Sequence, residues 1–177
     1  MKRIHFTIDG KPKPLIRHRD MYDNKGMPLL KIGKGGGVYN PKRDPSKKDK
    51  NNFLIESLNH RPKFPIIGPV CLSCIFWMKI PKANKKAAEA AEVYEEPFRA
   101  MAKESVIDLI YYLAKLLGNG DKVFWDMTHT GAPDEDNLRK FVADALQGPF
   151  WVNDSSVQGM GWKLYGTRPG TELEILW

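Results

Sequence analysis

"GPVCLSCIFWMKIP", Gly68 to Pro81, is the stretch whose reading decides the fold. Val70, Leu72, Cys74, Phe76, Met78 and Ile80 alternate along one side, while Ile75 and Trp77 make the other side apolar as well. Successive side chains of a strand point to opposite faces, so a strand apolar on both sides is covered on both. The pattern predicts a central strand. Cys71 and Cys74 inside it have C-x-x-C spacing, but residues three apart on a strand diverge. They are the only two cysteines, so no second pair completes a zinc site. They read as core thiols.

Outward from that strand, "RIHFTIDGK" (3–11) alternates Ile4, Phe6 and Ile8 against His5 and Thr7 and then meets Asp9-Gly10, which predicts a strand ending in a tight turn. Near the C-terminus, Met160, Trp162 and Leu164 share a face of "MGWKLYG", and Leu173, Ile175 and Trp177 share one of "TELEILW", giving two more strands. "DKVFWDMTHT" (121–130) is expected to be another. "SKKDKNNFLIESLNHR" (46–61) predicts a short helix, with Phe53, Leu54 and Leu58 on its apolar stripe. From Asn84 to Glu96 alanine and glutamate favour helix, and Pro97 is expected to break it or start a new first turn. A second stripe of Phe98, Met101, Ala102, Val106, Leu109, Ile110, Leu113, Leu116 and Leu117 runs to "GNG", a good helix end. Helices and strands mix without regular βα alternation. The expectation is α+β: a single domain, residues 1–177, with one mixed β-sheet flanked by helices, no internal repeat and no linker.

Composition sets the class. At 177 residues, 42% hydrophobic and 28% charged, the chain suits one globular domain with a real core. No apolar run approaches the roughly 20 residues of a membrane span, and the N-terminus has no signal-peptide core, so a cytoplasmic protein is expected. The net charge of +7 is unevenly spread: residues 1–50 hold 14 Lys and Arg against 5 Asp, and the remainder is slightly acidic. Such asymmetry suggests a polyanion partner. "KPKPLIRHRD" (11–20) reads as an extended basic segment, because its prolines rule out a helix. "NKGMPLLKIGKGGGVYNPKRDP" (24–45) reads as a glycine-rich loop that either lies along a nucleic-acid backbone or takes no part. It is no P-loop, since no Gly-Lys-Ser/Thr follows.

The chemistry gathers in "APDEDNLRKFVADALQGPFWVND", Ala132 to Asp154, which carries five acidic residues and two basic ones in an otherwise basic chain. Leu138, Phe141, Val142, Ala145 and Leu146 follow i, i+3, i+4, i+7, i+8, a helix with one buried stripe. Asp136 or Asn137 is expected as its N-cap, with Gly148 just past its end. Lys140 and Asp144, one turn apart, fall on the face opposite the stripe. Were Pro133–Asp136 extended, the carboxylates of Asp134 and Asp136 would point the same way and repel unless a cation sat between them. Asp154 follows a short apolar segment that can bring a third carboxylate back. Such oxygen ligands suit Mg2+ and metal-assisted phosphodiester cleavage, with Lys140 meeting charge on the phosphate. The same residues also suit a well-capped surface helix and an ordinary turn.

"PDEDNLRKFVADALQG", then "ND", then "KLY", resembles the signature of RusA-type Holliday junction resolvases: Pro-Asp-x-Asp-Asn, a lysine three residues after the Asn, an Asp-x-Leu, and an acidic pair downstream. "DGKPKPLIRHR" and "GPVCLSCIFWMKIP" resemble that family's opening basic segment and central strand, so the likeness covers most of the chain. It implies a RusA-like fold, with Asp134, Asp136 and Asp154 as Mg2+-binding catalytic carboxylates and Lys140 as the catalytic lysine. Mn2+ is implied as a substitute. It further implies a homodimer that makes paired nicks in four-way branched DNA. The basic charge of the N-terminal third, for its part, makes Lys11, Lys13, Arg17 and Arg19 the expected DNA contacts. Three departures stand out: Asn153 replaces the first acid of the downstream pair, Glu135 stands where the family has an apolar residue, and the helical stretch at about 82–120 is longer than the family's connection there. A DNA-binding protein of the same fold with weak or no cleavage is the alternative.

Overall fold

The structure is a computed structural model, and it describes residues 1–15 and 46–177. Arg17, Arg19 and the glycine-rich stretch 24–45 lie outside the described residues. Four strands among the described residues form one mixed sheet: β1 (Arg3–Asp9), β2 (Val70–Lys79), β3 (Val157–Gly166) and β4 (Gly170–Leu176), in the order β1-β4-β2-β3. β4 is antiparallel to both β1 and β2, and β2 is parallel to β3. Among the described residues five helices accompany the sheet: α1 (Lys47–Ser57), α2 (Lys85–Glu104), α3 (Val106–Gly118), α4 (Lys122–Met127) and α5 (Glu135–Leu146). The architecture is α+β, as the residue patterns predict. No helix among the described residues is long and apolar enough to cross a membrane.

The central strand is β2, and both its faces are buried. Leu72, Cys74, Phe76 and Met78 join Phe6, Ile8, Leu173 and Ile175 in a core roofed by Leu138, Phe141, Val142 and Leu146 of α5, with Phe53 and Leu54 of α1 packed against it. Ile75 and Trp77 face the opposite way, into a second core made with Leu164 and the buried sides of α2, α3 and α4. The diverging cysteines follow: Cys74 is buried in the first core and Cys71 is half-buried, both as free thiols. Burial pushes the Cys74 thiol well above its ordinary range, and the charge of Glu135 adds to the shift.

Three expectations about the helical half are corrected. α2 runs through Pro97, and the break comes at Ser105. Pro97 is exposed, as is Val93 four residues before it, so water can serve the carbonyl that loses its proline partner. Ser105 adopts φ −159° and ψ 119°; its N–H closes α2 on Met101 and its side chain accepts from the Asp108 N–H to open α3. Leu117, expected in the buried stripe, is 40% exposed. The third correction is 121–130, which begins as helix α4. The Asp121 carboxylate accepts from the Val123 N–H at 2.9 Å, capping a turn that buries Phe124 and Met127 together. Residues three apart share a helix face and would diverge on a strand. Only a bridge between Thr128 and Leu164 keeps the expected sheet pairing.

Polar side chains lock the second core. Glu172 of β4 faces it, accepting from Trp77 Nε1 at 2.9 Å and from Arg99 Nη1 at 3.3 Å. Arg99 lies 4.1 Å over the Trp77 ring and pairs with Glu95, whose carboxylate also accepts from the Thr167 N–H and hydroxyl. All three charged side chains are at most 8% exposed. Arg99→Met would strand two buried carboxylates without their cation, and loss of one partner in such a setting costs about 3–5 kcal/mol. Urea unfolding of the variant measures it; a loss below about 1 kcal/mol, the range of exposed pairs, would show that the network is not what joins α2 to the sheet.

Candidate active site

Helix α5 carries most of the candidate residues, and it starts earlier than its sequence suggests. Its N-cap is Asp134, at φ −66° and ψ 149°, not Asp136 or Asn137, and the Asp134 side chain makes no capping hydrogen bond. The added residues are held: Glu135, at the first helical position, pairs with Arg139 one turn on at 3.0 Å and lies over β3. Pro133–Asp136 is therefore not an extended run, and strand parity does not align Asp134 with Asp136. Both instead flank one helical turn whose N–H groups have no intrahelical acceptors, the end of a helix that favours negative charge.

The approach of α5 to β3 depends on glycine. A Cβ on Gly161 would stand 2.4 Å from Glu135 Oε1, and one on Gly159 would stand 2.4 Å from the Leu72 carbonyl oxygen and 3.2 Å from Arg139 Cδ. The contacts also fix direction, because β3 runs from beneath Arg139 toward beneath Glu135. α5 and β3 are thus antiparallel. Asp154 lies ahead of β3, in a short 3-10 turn (Asp154–Ser156), where the Asn153 side chain accepts from the Ser155 N–H. Asp134, Asp136 and Asp154 do not form a three-member cluster: among the described residues, no three His, Cys, Asp or Glu side chains stand close enough to hold a metal ion.

The donors nonetheless fit a hard cation in kind. Asp134 and Asp136 are exposed, and the carboxamide oxygen of Asn137, in the same turn, is buried with no hydrogen-bond partner among the described residues. Mg2+ keeps several waters and takes one or two carboxylates together with phosphate oxygens, so it needs no closed protein cage.

Lys140 is exposed and pairs with Asp144 at 3.6 Å; Lys50 of α1 reaches the same carboxylate at 3.3 Å. Asp144 thus holds two lysines on one side of α5. The basic N-terminal segment passes close by. The Leu15 N–H donates to the Asn137 carbonyl at 3.2 Å, exposed Lys13 pairs with Asp49 of α1 at 3.6 Å, and Lys11 is exposed. Asp126 sits on α4 and faces Lys122 at 3.9 Å.

Lys163 is the residue that sequence reasoning passed over. It is 9% exposed on β3, and its Nζ donates to the carbonyl oxygens of Gly131 at 2.5 Å and Pro133 at 2.8 Å, across the cis Ala132–Pro133 peptide. Burial lowers its pKa, and the charges of Asp134 and Glu135 oppose that shift. His129 also has a lowered pKa, first from burial and then from the Lys163 charge. Its ring packs edge-on against Tyr165 at 5.1 Å. The available signal was the lysine of "KLY", on the face of β3 opposite Met160, Trp162 and Leu164 and in line with Gly159 and Gly161.

A family model described as Endodeoxyribonuclease RusA matches residues 10–176. The chain belongs to this family. The match runs from the turn after β1 to the end of β4, taking in every candidate residue, and it sets the chain among DNA-acting nucleases. No curated protein and no solved structure gives a match.

The glycine seam makes a graded prediction. Gly159→Ala drives a Cβ into backbone oxygen of β2 and should cost about 1–3 kcal/mol, as overpacking does. Gly161→Ala meets only the end of the flexible Glu135 side chain and should cost clearly less. Urea unfolding of the two variants checks the order; equal losses would mean that the Glu135 side chain does not give way at Gly161.

Proposed function

We propose that this RusA-family protein is a Mg2+-dependent, structure-selective endonuclease that hydrolyses phosphodiester bonds in four-way DNA junctions, and that a homodimer makes the paired nicks. The observation that supports it most is the meeting of two features at one helical turn. Asp134 and Asp136 stand at the start of α5, and the basic segment is tied to the same turn through Leu15 and Asn137. Acids for a cation and lysines for a polyanion are what a cleaved phosphodiester requires together.

In this reading Asp134 and Asp136 hold Mg2+ (or Mn2+ in its stead), and Asp154 supplies a third carboxylate from the turn ahead of β3. A divalent cation held there would supply polarisation of a phosphate oxygen and a lowered pKa for a bound water. Lys140, steered by Asp144, offers its ammonium to charge that develops on the phosphate oxygens. Lys11, Lys13, Arg17 and Arg19 hold the DNA backbone. For dimerisation, α3 exposes Tyr111, Tyr112 and Leu117, apolar surface of the kind a two-fold contact can bury. One observation favours a second reading, a junction-binding protein with weak or no cleavage: among the described residues Asp134, Asp136 and Asp154 do not come together as a three-carboxylate cluster.

Asp134→Asn separates these readings and also tests a purely structural role. Asn caps a helix about as well as Asp, so thermal stability should hold. Mg2+-dependent nicking of a synthetic four-way junction should fall by orders of magnitude, while junction binding persists. Asp136→Asn and Asp154→Asn should behave alike. Retained nicking in all three would remove the metal-site reading, and a wild-type protein that binds junctions without cutting them would establish the second one.

For the basic segment, replacing Lys11, Lys13, Arg17 and Arg19 with Ala should shrink the slope of log affinity against log salt by up to about 0.9 per lost phosphate contact. An unchanged slope would make these residues a solvated face. Sedimentation at micromolar concentration should give a dimer; a monomer with and without junction DNA would count against paired nicking.

A further inference from the structure

The chain between Met127, buried in the second core, and Asp134, at the tip of α5, is stitched to β3 by one residue from two directions. The Lys163 carbonyl accepts from the His129 N–H at 3.0 Å, and the Lys163 ammonium donates to the carbonyls of Gly131 and Pro133. The Pro133 carbonyl belongs to the peptide unit that ends at the Asp134 nitrogen. Fixing that oxygen fixes the plane from which Asp134 departs.

Among the described residues, no carboxylate forms an ion pair with this buried ammonium; its hydrogen-bond acceptors are the two neutral carbonyls. Burying a charge is costly unless it is well hydrogen-bonded, and an apolar side chain at this position would simply pack. What a lysine does here that leucine or methionine cannot is hold two loop carbonyls at a set distance from β3.

We propose that Lys163 is a positioning residue for the metal site: it sets the orientation of Asp134 by clamping the Gly131 and Pro133 carbonyls, so that its loss weakens divalent-cation binding without removing a ligand. The inference rests on the reading of Asp134 as a metal ligand. Groups that orient metal ligands typically change metal affinity by about 10–100-fold when mutated, which sets the expected size of the effect.

The test compares wild-type protein with Lys163→Met, Asp134→Asn and Leu113→Ala, the last a core substitution on the opposite side of the sheet. Three readouts are taken: Mn2+ binding to the DNA-free protein by calorimetry, the Mg2+ midpoint of junction nicking, and the melting temperature. Lys163→Met should weaken Mn2+ binding and raise the Mg2+ midpoint by about tenfold or more, with nicking recovered at high Mg2+. Leu113→Ala should lower the melting temperature and leave both metal readouts where they were. Wild-type Mn2+ binding and midpoint in Lys163→Met would overturn the proposal, as would a shift of the same size in Leu113→Ala. If Lys163→Met does not fold, Lys163→Arg, which keeps the charge but alters the reach, is read by the same criteria. Asp134→Asn keeps the two failures apart. Undiminished Mn2+ binding there removes the ligand assignment itself, whereas lost binding there with normal binding in Lys163→Met removes only the role of Lys163.

Discussion

Burial of β2 on both faces is the constraint on which the rest of the molecule depends. Leu72, Cys74, Ile75, Phe76 and Trp77 are essentially inaccessible, and each large apolar side chain so buried is worth about 1.5–3 kcal/mol. One sheet cannot cover both of its own faces, so helices must lie on each. α5 and α1 take one face; α2, α3 and α4 take the other. The position of α5 follows from its apolar stripe: with Leu138, Phe141, Val142 and Leu146 pinned on the sheet, Glu135 and Arg139 turn to β3. Asp136 and Lys140 are left on its exposed surface. The candidate chemistry is thus oriented by the core rather than by contacts of its own.

The two cores are unequal in kind. The one beneath α5 is almost wholly apolar. The other carries an arginine, two glutamates and an indole N–H in mutual contact, because β4 alternates Glu172 and Glu174 with Leu173 and Ile175 and both its faces are covered. Glu174 is satisfied at the sheet margin, accepting from the Ile107 N–H at the start of α3 and pairing with Arg3. Acidic side chains on β4 thereby fix where α2 and α3 stand, a directional function that an apolar face would leave to shape alone.

How much of this is legible in the sequence depends on the range of the interaction concerned. β2 and the body of α5 are legible because their patterns are long and local. The stripe along α2 and α3 is legible too, but its interruption is not: Pro97 is the conspicuous breaker, while the true break uses the cap at Ser105. Residues 121–130 mislead because a six-residue helix has too few positions for a period to emerge, and Asp121 after a glycine is a quiet signal beside Val, Phe and Trp. The helix start at Asp134 depends on Glu135 finding Arg139 and a glycine seam on β3. Lys163 depends on carbonyls some thirty residues away. Family resemblance supplies candidate residues for the site, whereas their mutual placement is a property of the folded chain.

The placement of β4 has a bearing on how the chain reaches its fold. It is the last of the four strands in sequence yet lies inside the sheet, with β1 on one side and β2 on the other. During vectorial synthesis β1 and β2 emerge long before the strand that must separate them, and they have no pairing partner in common until it arrives. Sheet closure is therefore deferred until the whole domain has left the ribosome, since the β1–β4 ladder joins residues at opposite ends of the sequence. Until then, the two-faced apolar β2 is an exposed segment of the kind that chaperones protect.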